Sequence, residues 1–183
     1  SVTNLPLPRF VSLKGNEGNA RRGPGLTHRI DWVFTRSGMP LRITAEYEHW
    51  RRVEDAEGVG GWVHYALLSG VRSVMISADM ADFLNSPEDG AAVKFRAERN
   101  VVGWVQECSA DWCRVSVEGD RGWVHKSALW GVAPGEVTVT VRDNRGNGVA
   151  GAVVDLSTVK GTLAAFSLSS VFGRCHSAGQ QDQ

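Results

Sequence analysis

The sequence has no surplus of charge: 20 Lys+Arg stand against 20 Asp+Glu, for a formal net charge of zero. A nucleic-acid module needs excess cations to displace counterions from phosphates, so that class is excluded. Long apolar runs are missing as well. No stretch approaches the ~20 residues that carry a helix across a bilayer, so no membrane span is expected. Proline (6), cysteine (3) and tyrosine (2) are scarce. There is no phosphate-binding G-x-x-x-x-G-K, no G-x-S-x-G nucleophile elbow and no H-E-x-x-H zinc helix. Neither a cofactor nor a metal is expected, and the reading is non-catalytic.

What is abundant is glycine (21) and tryptophan (7), in a chain of 183 residues that is 42% hydrophobic. That apolar fraction suits a packed globular protein rather than a disordered one. Many glycines with few prolines predict tight turns and therefore short strands.

The chain also repeats itself. Trp50-Arg51-Arg52-Val53 recurs as Trp112-Cys113-Arg114-Val115, and Gly61-Trp62-Val63-His64 as Gly122-Trp123-Val124-His125. Both copies continue through a leucine (Leu68, Leu129) into Gly-Val. About half of the aligned positions are identical, far beyond chance, which marks a duplication of a unit of about 60 residues. Within the first unit Leu41, Ile43 and Ala45 alternate with Arg42, Thr44 and Glu46, the period-2 pattern of a half-buried strand. Turns are predicted at Tyr47-Glu48-His49 and across residues 57–61, with strands from Trp50 and over Trp62–His64. The segment from Tyr65 to Leu68 is too short for an α-helix and reads as a single 3₁₀ turn. Short strands of this number should close into a small barrel, because closure removes exposed edges. The predicted fold class is all-β: two small barrels in tandem, followed by a short hairpin tail.

These residues resemble the bacterial SH3 (SH3b-type) domain. Asn19-Ala20-Arg21-Arg22-Gly23-Pro24-Gly25 is similar to that family's N-x-R-x-G-P-G opening, and the middle tryptophan and the closing G-W-V follow in order. The second copy keeps the Trp112 and G-W-V parts but has lost the opening arginine. The implied boundaries are residues 9–71 for the first barrel and 72–132 for the second, with a degenerate front half. The tandem arrangement resembles envelope proteins of Gram-negative bacteria that carry two such domains behind a signal peptide. The chain starts at Ser1 without a basic-then-apolar leader, as either a removed signal peptide or a trimmed chain would leave it.

Cys108 and Cys113 flank a four-residue turn and so face each other across a hairpin, within reach of a disulfide. Two reduced thiols are the alternative. A bridge implies an oxidising compartment, the periplasm or the outside. The positions equivalent to the cysteines in the first copy hold Glu46 and Arg51, an expected exposed charge pair contributing under about 1 kcal/mol.

Trp62 and Trp123, in the G-W-V strands, read as core residues, while the resemblance puts Trp50 and Trp112 at the barrel rim, where an indole can stack on a sugar or peptide. The alternative is that the candidate tryptophans only fill the two small cores. Trp32 lies near Arg21, Arg22, His28 and Arg29. An aromatic among cations suits a carboxylate-bearing ligand, as peptidoglycan stem peptides are. The candidate ligand-binding set is Trp50, Trp32, Arg21, Arg22, Tyr47 and Trp112, weighted to the first copy. His64 and His125 share a repeat position and are read as satisfying the turn that follows. Three function classes fit: a wall-targeting module binding peptidoglycan peptides, an envelope adaptor binding protein segments, and an accessory fragment of a longer enzyme. Location would be periplasmic or secreted.

Beyond residue 132 tryptophan stops. Residues 133–172, with the alternating Val137–Val141 run, resemble the start of a bacterial immunoglobulin-like (invasin-type) domain, and are expected to be either an incomplete one or a two-stranded hairpin and no more. Residues 173–183 are small and polar and are expected to be disordered, leaving Cys175 as a lone thiol.

Overall fold

The computed structural model describes residues 2–133, Arg145, and the backbone of residues 153–159 and 162–169. The chain divides into two compact units, Ser1–Val137 and Thr138–Gln183.

The first unit holds both copies. β1 (Arg9–Leu13), β2 (Gly18–Arg21), β3 (Ile30–Phe34), β4 (Pro40–Tyr47), β5 (Trp50–Glu54), β6 (Gly60–His64) and β7 (Leu68–Ser69) make one antiparallel sheet. Their order is β3-β2-β6-β5-β4-β1-β7. β8 (Ser73–Ile76), β9 (Met80–Leu84), β10 (Val93–Glu98), β11 (Val102–Cys108), β12 (Trp112–Val117), β13 (Asp120–His125) and β14 (Leu129–Trp130) make a second sheet. Its order, β10-β9-β13-β12-β11-β8-β14, repeats the first strand for strand. Leu13, Ala20, Phe34, Leu41, Ile43, Val53 and Val63 come from six strands yet form one buried cluster. A flat sheet cannot gather six strands onto one centre, so the sheet is rolled. The second roll closes on Val74, Ile76, Ala81, Phe83, Val115 and Val124, with Phe83 stacked on Phe95 at 4.4 Å.

Single 3₁₀ turns follow β6 (Tyr65–Leu67) and β13 (Lys126–Ala128). His64 Nδ1 accepts from the Ala66 N–H at 3.3 Å, and His125 Nδ1 from the Ser127 N–H at 3.2 Å. The paired histidines are caps, as the sequence suggested. The glycine of each G-W-V has a packing reason. A Cβ on Gly61 would lie 2.7 Å from the Arg21 carbonyl oxygen, and one on Gly122 2.7 Å from Phe83 Cβ. Only a bare Cα lets β6 close on β2, or β13 on β9.

One device alters the expected alternation. Ile43 faces Val53, but Ala45 faces Arg52, so Thr44 is an extra residue in β4. This β-bulge reverses the faces of the residues beyond it. Ala45 therefore turns outward instead of joining Leu41 and Ile43, and Glu46 turns inward. The exposed pair expected of Glu46 and Arg51 is accordingly a buried one. Their side chains are 0% and 9% exposed, with Arg51 Nε 3.3 Å from Glu46 Oε1. Arg9 and Thr3 also donate to the Glu46 carboxylate. The second copy has the same bulge, at Gln106, and the same inward pair, filled by a Cys108–Cys113 disulfide. One copy ties the hairpin ionically and the other covalently.

The two barrels are packed together. Trp130 of the second lies edge-on to Phe10 of the first at 5.2 Å, and the Arg42 guanidinium covers its ring at 5.1 Å. Arg72 covers Phe10 at 5.9 Å. The result is a stack, Arg72–Phe10–Trp130–Arg42, in which residues before and after the junction alternate. Ser12 Oγ donates to the Val71 carbonyl at 2.8 Å.

In the second unit β15 (Val153–Val159) and β16 (Thr162–Ser169) pair antiparallel as a hairpin. The expected strand 137–141, the tail 173–183 and Cys175 lie outside the described residues. The hairpin does not establish an immunoglobulin-like domain.

Candidate functional site

The bulge fixes what the outer face of the first barrel displays. Across the adjacent strands β2, β6, β5 and β4, the register aligns Arg21, Trp62, Arg52 and Ala45 in one row. The next row along holds His64, Trp50 and Tyr47. The inner-facing neighbours are Ala20, Val63 and Val53, exposed by no more than 1%.

The expected tryptophan roles do not hold: no tryptophan joins either core cluster, and Trp50 is covered on the outer face instead of standing open at the rim. Val63 and Val124 take the core positions, so the adjacent Trp62 and Trp123 must face outward, where each is half-buried. Trp50 is only 8% exposed. It stands edge-on to His64 at 5.4 Å, as Trp112 does to His125 at 5.2 Å. Neither the His64 nor the His125 cap leaves its tryptophan as an open platform.

A cleft of about 420 Å³ opens over the first row, lined by Arg21, Arg22, Asp31, Arg52, Glu54 and Trp62 among others. Gly60 and Gly61 form part of its wall beside Trp62. Most charges here are already matched. Asp31 accepts from Arg29 at 2.7 Å and Arg22 at 3.0 Å. Those two guanidiniums, Arg29 first, hold its carboxyl below the ordinary carboxylate value. Glu54 is held by Arg42 Nε at 2.8 Å. Arg21 Nη1 donates to the carbonyls of Leu26 (3.0 Å) and His28 (2.7 Å), anchoring the loop between β2 and β3. Arg52 is exposed, and its guanidinium has no partner among the described residues. Arg21 and Arg52 thus flank Trp62 with two cationic side chains that no carboxylate neutralises.

Of the sequence candidates, Arg21, Arg22, Trp50 and Tyr47 are brought to this side of the first barrel. Trp32 is not: it stands opposite Ala20 on the edge strand β3, 47% exposed, and does not line the cleft. Trp112 belongs to the other barrel. Arg52 and Trp62 were missed. Both lie within the quoted repeat motifs, but their outward direction depends on the register.

The equivalent row of the second barrel reads Leu84, Trp123, Arg114 and Glu107. The first cation is gone, and the second is answered within the sheet, with Arg114 Nη1 3.4 Å from Glu107 Oε1.

The family model for the bacterial SH3 domain matches this chain twice, over residues 14–70 and 77–131. None of the curated proteins matches it. Among solved structures, NlpC2 from Trichomonas vaginalis aligns with a TM-score of 0.33 at 14% identity, covering 69% of this chain and 49% of its own. NlpC1 from the same organism gives 0.33 and 14%, covering 69% and 46%. This chain therefore spans about half the length of those proteins. With both matches falling on the two rolled sheets, the chain belongs to the bacterial SH3 domain family, in two tandem copies.

Proposed function

We propose that this protein is a non-catalytic binding module of the bacterial cell envelope that recognises peptidoglycan peptides through the outer face of its first barrel. The observation that carries this reading is the Arg21–Trp62–Arg52 row, an accessible indole between two cations with no carboxylate of their own. Stem peptides are extended chains bearing free carboxylates, so they offer an anion to the guanidiniums and apolar surface to the indole. Membership of a binding-domain family supports a role in recognition. The Cys108–Cys113 bond supports an oxidising location, periplasmic or secreted.

A second reading, an adaptor for envelope proteins, is favoured by β3. It is an edge strand whose Ile30, Trp32 and Val33 are 40%, 47% and 39% exposed, a surface to which an extended segment can add as a further strand. Sedimentation with purified peptidoglycan separates the two. Retention that falls in R21Q/R52Q supports wall binding through this face. A protein left in the supernatant, yet capturing an envelope protein through β3, supports the adaptor.

A further inference from the structure

The second barrel already contains what the first one lacks. At the bulge its outer row ends in Glu107, whose carboxylate sits 3.4 Å from the Arg114 guanidinium, beside Trp123 in the register. The first barrel has the same bulge, the same arginine and the same tryptophan, but Ala45 stands where the carboxylate would begin. We infer that Arg52 is the anion-recognising residue of the first barrel and seats a ligand carboxylate beside Trp62. In the second barrel Glu107 occupies the equivalent seat from within. The residue at the bulge position, Ala45 or Glu107, decides whether the face is open or self-filled. This deepens the reading above and rests on the same face.

Three observations support the assignment. Arg52 is the cleft cation that neither a carboxylate nor a carbonyl engages among the described residues. Ala45 carries no group long enough to reach it. The seat also needs no rearrangement to accept a carboxylate, because the same backbone accommodates one in the other copy.

The test uses the full chain with N-acetyl-D-glutamate as probe, read by NMR at the indole N–H of Trp62 and Trp123. In the native protein the Trp62 signal should shift on titration and the Trp123 signal should not. A45E, which installs the second barrel's residue on the same bulge, should abolish the Trp62 response. E107A should create a response at Trp123. In parallel, peptidoglycan with its free carboxyls amidated should retain the native protein about ten-fold less than untreated wall, the worth of one charge-assisted contact. A Trp62 response that is missing in the native protein, or that persists in A45E, overturns the inference. Retention indifferent to both amidation and A45E also overturns it, while leaving the wall-binding reading intact. A Trp62 response lost in A45E, with no retention by any wall preparation, keeps the carboxylate seat and discards peptidoglycan as its ligand.

Discussion

Replacing Glu46 with glutamine tests the bulge directly. If simple alternation held, Glu46 would point to solvent and its pairing with Arg51 would contribute under about 1 kcal/mol. With Thr44 as an extra residue, the carboxylate turns inward, where its side chain is 0% exposed. It accepts from Arg9 Nη2, from Arg51, and from both the Oγ1 (2.7 Å) and N–H (3.1 Å) of Thr3. Glutamine keeps the shape but removes the charge, leaving two guanidiniums, 18% and 9% exposed, without their counter-ion. Removing one partner of a buried pair costs about 3–5 kcal/mol, a large share of the ~5–15 kcal/mol that holds a domain folded. With a urea slope of about 2 kcal/mol per molar, the midpoint should fall by roughly 2 M, followed by tryptophan fluorescence. A midpoint within a few tenths molar of the native protein would refute the inward placement.

Three further outcomes are expected. Replacing Cys108 and Cys113 with alanine opens a covalent loop of only six residues, so calorimetry should register a loss near 2 kcal/mol, less than E46Q; a larger loss than E46Q refutes the ranking. Gly61→Ala and Gly122→Ala each force a Cβ to within 2.7 Å of a neighbour and should each lose about 1–3 kcal/mol. Only Gly61→Ala, which displaces Arg21, should also weaken ligand retention. Asp31, held below its ordinary 3.8 by Arg29 and then Arg22, favours the folded loop above that value and loses the contribution as pH falls through its depressed pKa. An NMR titration of its carboxyl should give a midpoint under 3.8; a midpoint at or above 3.8 refutes the double pairing.

Much of the fold was legible because duplication doubles the signal. Trp50 recurs 62 residues on, and Gly61, Trp62 and His64 recur 61 residues on, and a repeated motif in a glycine-rich chain marks strand and turn positions more firmly than local propensity does. Opposing cysteines at 108 and 113 revealed the hairpin register at one end. What the pattern could not show was the bulge. Inserting one residue costs nothing in local alternation, since Leu41, Ile43 and Ala45 still read as one face, yet it reverses everything after Thr44. Trp50 and Trp62 were misassigned for a related reason. Two tryptophans on adjacent strands look alike in sequence and share the outer face, and only the packing around them, with His64 edge-on to Trp50, decides which indole is covered.

The second barrel also bears on the site from behind, through Arg42. That guanidinium lies 5.1 Å from the ring of Trp130 and bonds Glu54 through both Nε and Nη2. Glu54 lines the cleft two residues from Arg52 on β5, so both project from the same face. As long as Arg42 holds Glu54, Arg52 stays available to a ligand. With Arg42→Met the apolar stem can still lie against Trp130, but Glu54 loses its cation and Arg52 becomes the nearest unmatched one. The carboxylate would then fill the seat that Glu107 fills in the other copy. Affinity for N-acetyl-D-glutamate should fall about ten-fold, and adding Glu54→Gln should restore it. Arg42 would then be a positioning residue, outside the ligand's reach but controlling its counter-ion. Unchanged affinity in Arg42→Met, or no recovery in the double variant, would break the link between the barrel junction and the cleft.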